Sequence, residues 1–350
     1  MKAETLLPIG KLDPGLRSPD VALDLNTIGS QAKLVERLGY HALLMEETKD
    51  DPFQVLALAA HATERVHVGT SVAIAFSRSP FTIAQAAWTA QKISNGRFEL
   101  GLGSQVRGHI VRRYGLEWHP PGPWMRDYVR AVRAIWHSWQ TETPLNFESK
   151  RYSLNLNVPL FTPAPIEHPH IPIQVAAVNP YMASVAAEVA DGVRLHPVCS
   201  PEYIAEVILP AVKDKRSEQF EVCLKPLIAT ARDEATLATR IEVARQRLAF
   251  YISTPSYRAA FEIFGLHDLC REMTRLSKTN QWDKMASLVD DELLEKCVIV
   301  SLYDNLAETI EQKYGHLIQR IEVSFPVNND EDAEQLRDVV NKLENQYTKA

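Results

Sequence analysis

Eight short apolar runs punctuate this chain: "TLLPIG", "HALLME", "VHVGTSVAIA", "FELGLG", "IPIQVAAV", "GVRLHPV", "VCLKPLIATA" and "RIEVSFPV". Between them lie amphipathic stretches, among them Gly29 to Leu38, Phe53 to Ala62, Thr82 to Ile93, Met125 to Trp139, Pro180 to Ala190 and Asn305 to Tyr314. An apolar strand followed by a helix, repeated, is the pattern of a parallel sheet whose faces are covered by helices. Eight units predict an α/β fold of the (β/α)8 TIM-barrel type, with chemistry at the C-terminal ends of the strands. The alternative is a doubly wound open sheet. Its dinucleotide fingerprint is incomplete here, because "GLGSQV" has two glycines and then Val106 where the third belongs.

A length of 350 residues fits two ordinary domains or one large barrel, and because all eight strands are needed to close the sheet the reading is a single domain over 1–350. Two segments exceed the minimal repeat, about 104–172 and 231–296. Both hold Trp, Phe and Leu at helical spacing, so they are expected to wall the barrel mouth. The longest apolar runs fall short of the roughly 18 residues that cross a bilayer. Glu4 and Pro8 interrupt any leader-like core, and a cytoplasmic location is expected. A net charge of −6 argues against a nucleic-acid surface and leaves a small molecule as the expected partner. Cys199, Cys223, Cys270 and Cys297 are widely spaced, and His168 and His170 sit in a Pro-rich loop. Neither disulfides nor a metal site are expected from them.

The strand ends supply the candidate site. Glu46 and Glu47 leave strand 2, and adjacent strand residues point to opposite faces, so one is expected at the mouth. Strand 3 carries Gly69, Thr70 and Ser71 inside an otherwise apolar run. Glycine there weakens a strand and marks a bend or a close approach by a ligand. After strand 4, Gly101 and Gly103 would let backbone approach a flat ligand, while His109, Arg112 and Arg113 on the following helix could hold an anion or serve only as surface residues. After strand 5, Asn179 and Pro180 open a helix whose N-terminus could take a phosphate or be simply a capped end. His196 closes strand 6, as a site residue or a structural histidine.

Together these residues resemble the bacterial-luciferase-like superfamily, and within it the deazaflavin-dependent oxidoreductases that use coenzyme F420. The block "HVGTSVAIAFSRSPFTIAQAAWTAQKISNGRFELGLGSQ" carries the resemblance most specifically, and it extends from Leu34 to about Tyr203 and from Val298 to Phe325. The resemblance implies a bulge after strand 3 with a cis peptide between Ser71 and Val72, supporting a tricyclic ring. It implies a cofactor pocket of Glu47, Ser71, Val72, Gly103, Ser104, His109, Ala177, Val178 and Asn179. His109 and Glu47 would be the catalytic residues; Arg112 and His196 are expected against the substrate from their own place at the rim. Thr48 stands where relatives often have a histidine, and Val178–Asn179 where they have glycines.

The implied reaction is hydride transfer between F420 and a small organic substrate. An FMN-dependent monooxygenase of the same fold, or a non-catalytic flavin-binding barrel, are the alternatives. A homodimer is expected through the helices beside strands 2 and 3, where Phe53, Val55, Leu56, Leu58 and Ala59 and then Phe81, Ile83, Ala86, Ala87 and Trp88 offer more apolar surface than one helix needs.

Overall fold

The computed structural model describes residues 1–11 and 22–347. Eight parallel strands form a ring, numbered here β1 (Lys2–Leu6), β2 (Ala42–Met45), β3 (His67–Thr70, resumed at Ala73–Ile74), β4 (Phe98–Gly103), β5 (Ile173–Ala177), β6 (Gly192–Leu195), β7 (Glu221–Leu224) and β8 (Arg320–Glu322). Each pairs with its neighbours in sequence order, and β8 pairs back to β1 through Lys2 with Arg320 and Ala3 with Ile321. The sheet therefore closes, and the open doubly wound arrangement falls.

The strands form where apolar residues can be buried on both sides: Leu43, Val68, Leu100, Val175, Val193 and Ile321 are all 1% exposed or less. Helices cover the outside. The helix Pro52–His61 starts at Asp51, which accepts from the Phe53 and Gln54 N–H groups, and Pro80–Ile93 starts at Ser79, which accepts from the Thr82 N–H. No helix among the described residues is long and apolar enough to cross a membrane.

The run "VCLKPLIATA" is not one strand. It divides at Lys225–Pro226, because proline has no N–H to continue a ladder. Glu221–Leu224 stays in the barrel, while Leu227–Ala231 pairs in parallel with Val298–Leu302 in a separate two-stranded sheet. β1 also begins at Lys2, earlier than its apolar residues suggest, because Glu4 is accommodated inside the barrel by arginines.

The first long segment does more than wall the mouth. Its helix Pro121–Thr141 buries Met125, Val129, Val132, Trp136 and Trp139 along one face and packs as an outer barrel helix. The Trp136 indole donates to the Ala84 carbonyl at 3.0 Å on one side, and Arg126 and Arg130 reach Glu188 on the other.

The apolar series proposed for dimerisation is largely consumed by this same packing. Val55, Leu56, Ala59, Ile83, Ala87 and Trp88 are buried within the chain, and Leu58 alone of the set is exposed, at 53%.

Candidate functional site

A cavity of about 640 Å³ opens at the C-terminal ends of the barrel strands. That is the size range of small-molecule sites. The interruption of β3 forms one wall. Gly69 pairs with Glu99 and Ala73 with Leu102, so four steps along β3 face three along β4, and one extra residue is pushed out as a bulge. The Ser71–Val72 peptide within it is cis, and Ser71, Val72 and Ile74 line the cavity.

Glycine in β4 makes room for this bulge. A Cβ on Gly101 would lie 2.0 Å from the Thr70 carbonyl oxygen, and one on Gly103 would lie 2.6 Å from Val72 Cγ2. The small polar residues in β3 and the glycines in β4 are thus two halves of one device.

Glu47 holds the bulge from the β2 side. Its Oε2 accepts from the Ile74 N–H at 2.7 Å and from Arg78 Nη1 at 2.6 Å, and the Glu47 N–H donates to the Val72 carbonyl at 3.4 Å. Arg78 also reaches Asp51, and its guanidinium lies 5.7 Å from the Phe53 ring centroid. Glu46 turns another way, between Lys225 Nζ at 2.8 Å and Lys11 Nζ at 3.2 Å. Burial works to raise its pKa, but the two lysines outweigh burial and hold it at about 2. Both acids line the cavity. The alternation expected of strand neighbours does not apply, because β2 ends at Met45.

A second wall, beyond β4, comes from β5 and β6. Ala176, Ala177 and Val178 offer small apolar surface. The Asn179 side chain accepts from the Met182 N–H at 2.9 Å, and Pro180 has no N–H, so two of the donors a phosphate would use in the first turn are missing or taken. His196 lies tilted against Tyr257 and edge-on to Tyr251, with centroids 4.3 and 4.9 Å away. Burial, helped by the Lys225 charge, pushes its pKa down to about 3. Its Nδ1 accepts a long bond, 3.4 Å, from the Val198 N–H, which leaves the ring proton of the neutral form on Nε2. Burial also raises the pKa of the Tyr257 phenol.

The cavity floor is polar. Arg194, which lines it, sends both terminal nitrogens to Glu4 at 3.0 and 3.1 Å and its Nε to Gln174 at 2.6 Å. Arg320 binds the same Glu4, at 3.0 Å, together with Glu99 and Glu221 at 2.6 Å each. These buried charges are paired, as burial requires.

Of the residues singled out from the sequence, Glu47, Ser71, Val72, Gly103, Ser104, Ala177, Val178, Asn179 and His196 line this one cavity. His109 and Arg112 do not. The helix Arg107–Arg112 buries Ile110 and leaves His109 and Arg112 exposed, and Arg107 at its start is the basic residue that lines the cavity. Trp118, Lys225, Tyr251 and Tyr257 were not anticipated. Lys225 was legible as the residue leaving strand 7. The tyrosines were not, because their approach to His196 depends on how the second long segment folds back.

The family model for luciferase-like monooxygenases matches residues 6–320. An uncharacterized protein of Mycobacterium tuberculosis is 38% identical over 296 residues, covering 83% of this chain and 87% of its own. A putative coenzyme F420-dependent oxidoreductase of the same organism is 28% identical over 310 residues, covering 83% and 86%. Among solved structures, the coenzyme F420 dependent tetrahydromethanopterin reductase of Methanopyrus kandleri superposes with a TM-score of 0.75 at 19% identity, covering 99% of each chain. The EDTA monooxygenase of Chelativorans sp. BNC1 gives 0.71 at 15% identity, covering 99% of this chain and 94% of its own. At such identities the two structures speak for the fold.

Proposed function

The chain belongs to the luciferase-like monooxygenase family, and from that premise we propose that it is an oxidoreductase that binds coenzyme F420 and exchanges a hydride with a small organic substrate. The observation that carries the reading is the slot between the bulge and β5. Ser71, Val72 and Ile74 from the bulge and Ala176, Ala177 and Val178 from β5 give this part of the cavity a lining of short side chains, which suits a flat tricycle. The F420-dependent relatives support the choice of cofactor.

Ser71, Val72, Gly103 and Ser104 would hold the ring, with Ala177, Val178 and Asn179 beyond it. Because the first turn after Asn179 has few free donors, an anionic end of the cofactor would depend more on Arg107 and Lys225. A bound deazaflavin supplies a carbon that gives or takes a hydride. The protein's own part is to orient, to exclude water and to manage a proton. Glu47 Oε2 is engaged by Ile74 and Arg78, so its role is to hold the bulge in shape. The proton falls to His196 Nε2–H and the Tyr257 hydroxyl, both kept uncharged by burial. Neither depends on His109, which is exposed.

Titrating the purified protein with F420 and, separately, FMN tests this directly. Saturable F420 binding, weakened at least tenfold in Ser71→Trp with an unchanged circular dichroism spectrum, is the expected result. Binding of FMN with no detectable F420 affinity would replace this reading by the monooxygenase one. Binding of neither would favour a barrel without turnover.

A further inference from the structure

At the opposite end of the barrel, where the strands begin, three side chains converge that the reaction above does not use. His41 directly precedes β2, His67 opens β3 and Glu99 is the second residue of β4. Strand register brings them together, since Ala42 pairs with His67 and Gly69 with Glu99. The imidazoles stack with centroids 4.7 Å apart and 22° between planes. His67 Nδ1 lies 3.1 Å and His41 Nε2 3.7 Å from the same oxygen, Glu99 Oε1.

Neither nitrogen makes a hydrogen bond, although both atoms are buried. The His67 separation is short enough for one, so it is direction that fails. Leaving buried nitrogens unpaired costs about 1–3 kcal/mol each. Glu99 is fixed from its other side: Oε2 accepts from Arg320 Nη1 at 2.6 Å and from Gln174 Nε2 at 3.4 Å, which leaves Oε1 facing the two rings. Three atoms able to ligate a metal thus lie within 4.8 Å of one another, and the two nitrogens face Glu99 without a well-directed hydrogen bond.

We propose that His41, His67 and Glu99 form a binding site for a divalent transition-metal cation of the zinc type. Tetrahedral zinc with bonds of about 2.0–2.1 Å sets its ligand atoms roughly 3.3 Å apart, and the observed 3.1 and 3.7 Å bracket that spacing. Two imidazoles with one carboxylate favour such a cation over magnesium or calcium, which take oxygen ligands. Arg320 and Gln174 supply the outer hydrogen bonds that orient a ligating carboxylate. The His67 side chain, 35% exposed, gives an entry path and room for a water in the fourth position. The site ties together the first ends of β2, β3 and β4. At this end of a barrel such a tie serves stability and not turnover.

The test is a titration of metal-free, untagged full-length protein with Co2+, read by its visible d–d bands, followed by displacement with Zn2+ and a thermal melt with and without metal. One equivalent should bind, zinc should displace cobalt, and the melting temperature should rise. His67→Ala and His41→Ala should each weaken binding by more than about tenfold, while His109→Ala, on the helix beyond the other end of β4, should not. The histidine variants are chosen because Glu99→Gln disturbs Arg320 and can fail to fold. Absence of saturable binding by the wild-type protein, or equal binding by both histidine variants, overturns the proposal.

Discussion

Alanine at position 103 would place a methyl group 2.6 Å from Val72 Cγ2, with the Ala176 methyl 3.9 Å away on the far side. Carbon atoms pack best at about 3.5–4.0 Å, so Val72 must withdraw by roughly 1 Å. β4 fills the space behind it, and the open direction is the cavity that Val72 lines. Overpacking of this kind costs about 1–3 kcal/mol. A ligand seated on Val72 meets that cost when it binds, so Gly103→Ala should weaken F420 binding about tenfold to a hundredfold, equivalent to roughly 1.4–2.7 kcal/mol, with a modest change in melting temperature. Fluorescence titration of the cofactor measures the first quantity and calorimetry the second. Val72→Ala removes the clashing Cγ2, so the double variant should bind within about threefold of Val72→Ala alone, a coupling expected only of residues in contact. Gly101→Ala is the contrast: its Cβ would meet the Thr70 carbonyl at 2.0 Å, where backbone must yield, and the chain should lose its fold before its ligand. Wild-type affinity in Gly103→Ala, or additive losses in the double variant, would refute the argument that Val72 is pressed between β4 and the ligand.

Glu47→Gln removes the charge from the Arg78 and Ile74 contacts and should cost about 1.5–3 kcal/mol of stability in denaturant unfolding, lowering F420 affinity through the loosened bulge. Arg320→Met leaves the buried Glu99 without its arginine, while Glu4 keeps Arg194 and Glu221 keeps Lys2, and should destabilise by about 3–5 kcal/mol, visible as loss of soluble protein or a large fall in melting temperature. His196 has a folded pKa of about 3, below the unfolded value of about 6.5, so the unfolded chain binds the extra proton and stability falls as pH drops from about 6.5 towards 3. Glu46, at about 2 when folded, contributes the same sign in a lower window, from about 4.5 down to 2. His196→Gln should therefore flatten the pH dependence of unfolding between about pH 6.5 and 4.5 and leave the lower decline in place. A homodimer is the expected assembly, read by light scattering as twice 39.4 kDa. Because Leu58 is the exposed member of its apolar series, Leu58→Lys should dissociate it, and a monomeric wild-type protein would remove the idea.

Periodicity was enough to read the barrel, because each strand needs a run of apolar residues buried on both faces and each helix needs a single apolar stripe. A bend in strand 3 was also legible from the residues, while the bulge and its cis peptide followed from the family resemblance. Gly69, Thr70 and Ser71 in β3 and Gly101 and Gly103 in β4 are residues a purely supporting strand has no reason to carry, and each half of the device lies within one short stretch of sequence. Rim residues such as Glu47, Asn179 and His196 followed from their place at strand ends. What the sequence left open is whatever depends on direction or on distant partners. His109 and Arg107 lie on one short helix, and only its seating on Ile110 decides that Arg107 meets the cavity while His109 meets solvent. Tyr251 and Tyr257 reach His196 across some 55 to 61 residues of chain, and their neighbourhood exists only once the second long segment packs over the mouth. The run "VCLKPLIATA" reads as one strand, and only the pairing of Leu227–Ala231 with Val298–Leu302 shows that it is two. His41, His67 and Glu99 are ordinary letters at the starts of three strands, and parallel register alone turns them into neighbours. Local sequence determines which residues must be buried and where backbone must bend. Closure of the ring determines which of the remaining side chains share a cavity, since that is settled by contacts between residues far apart along the chain.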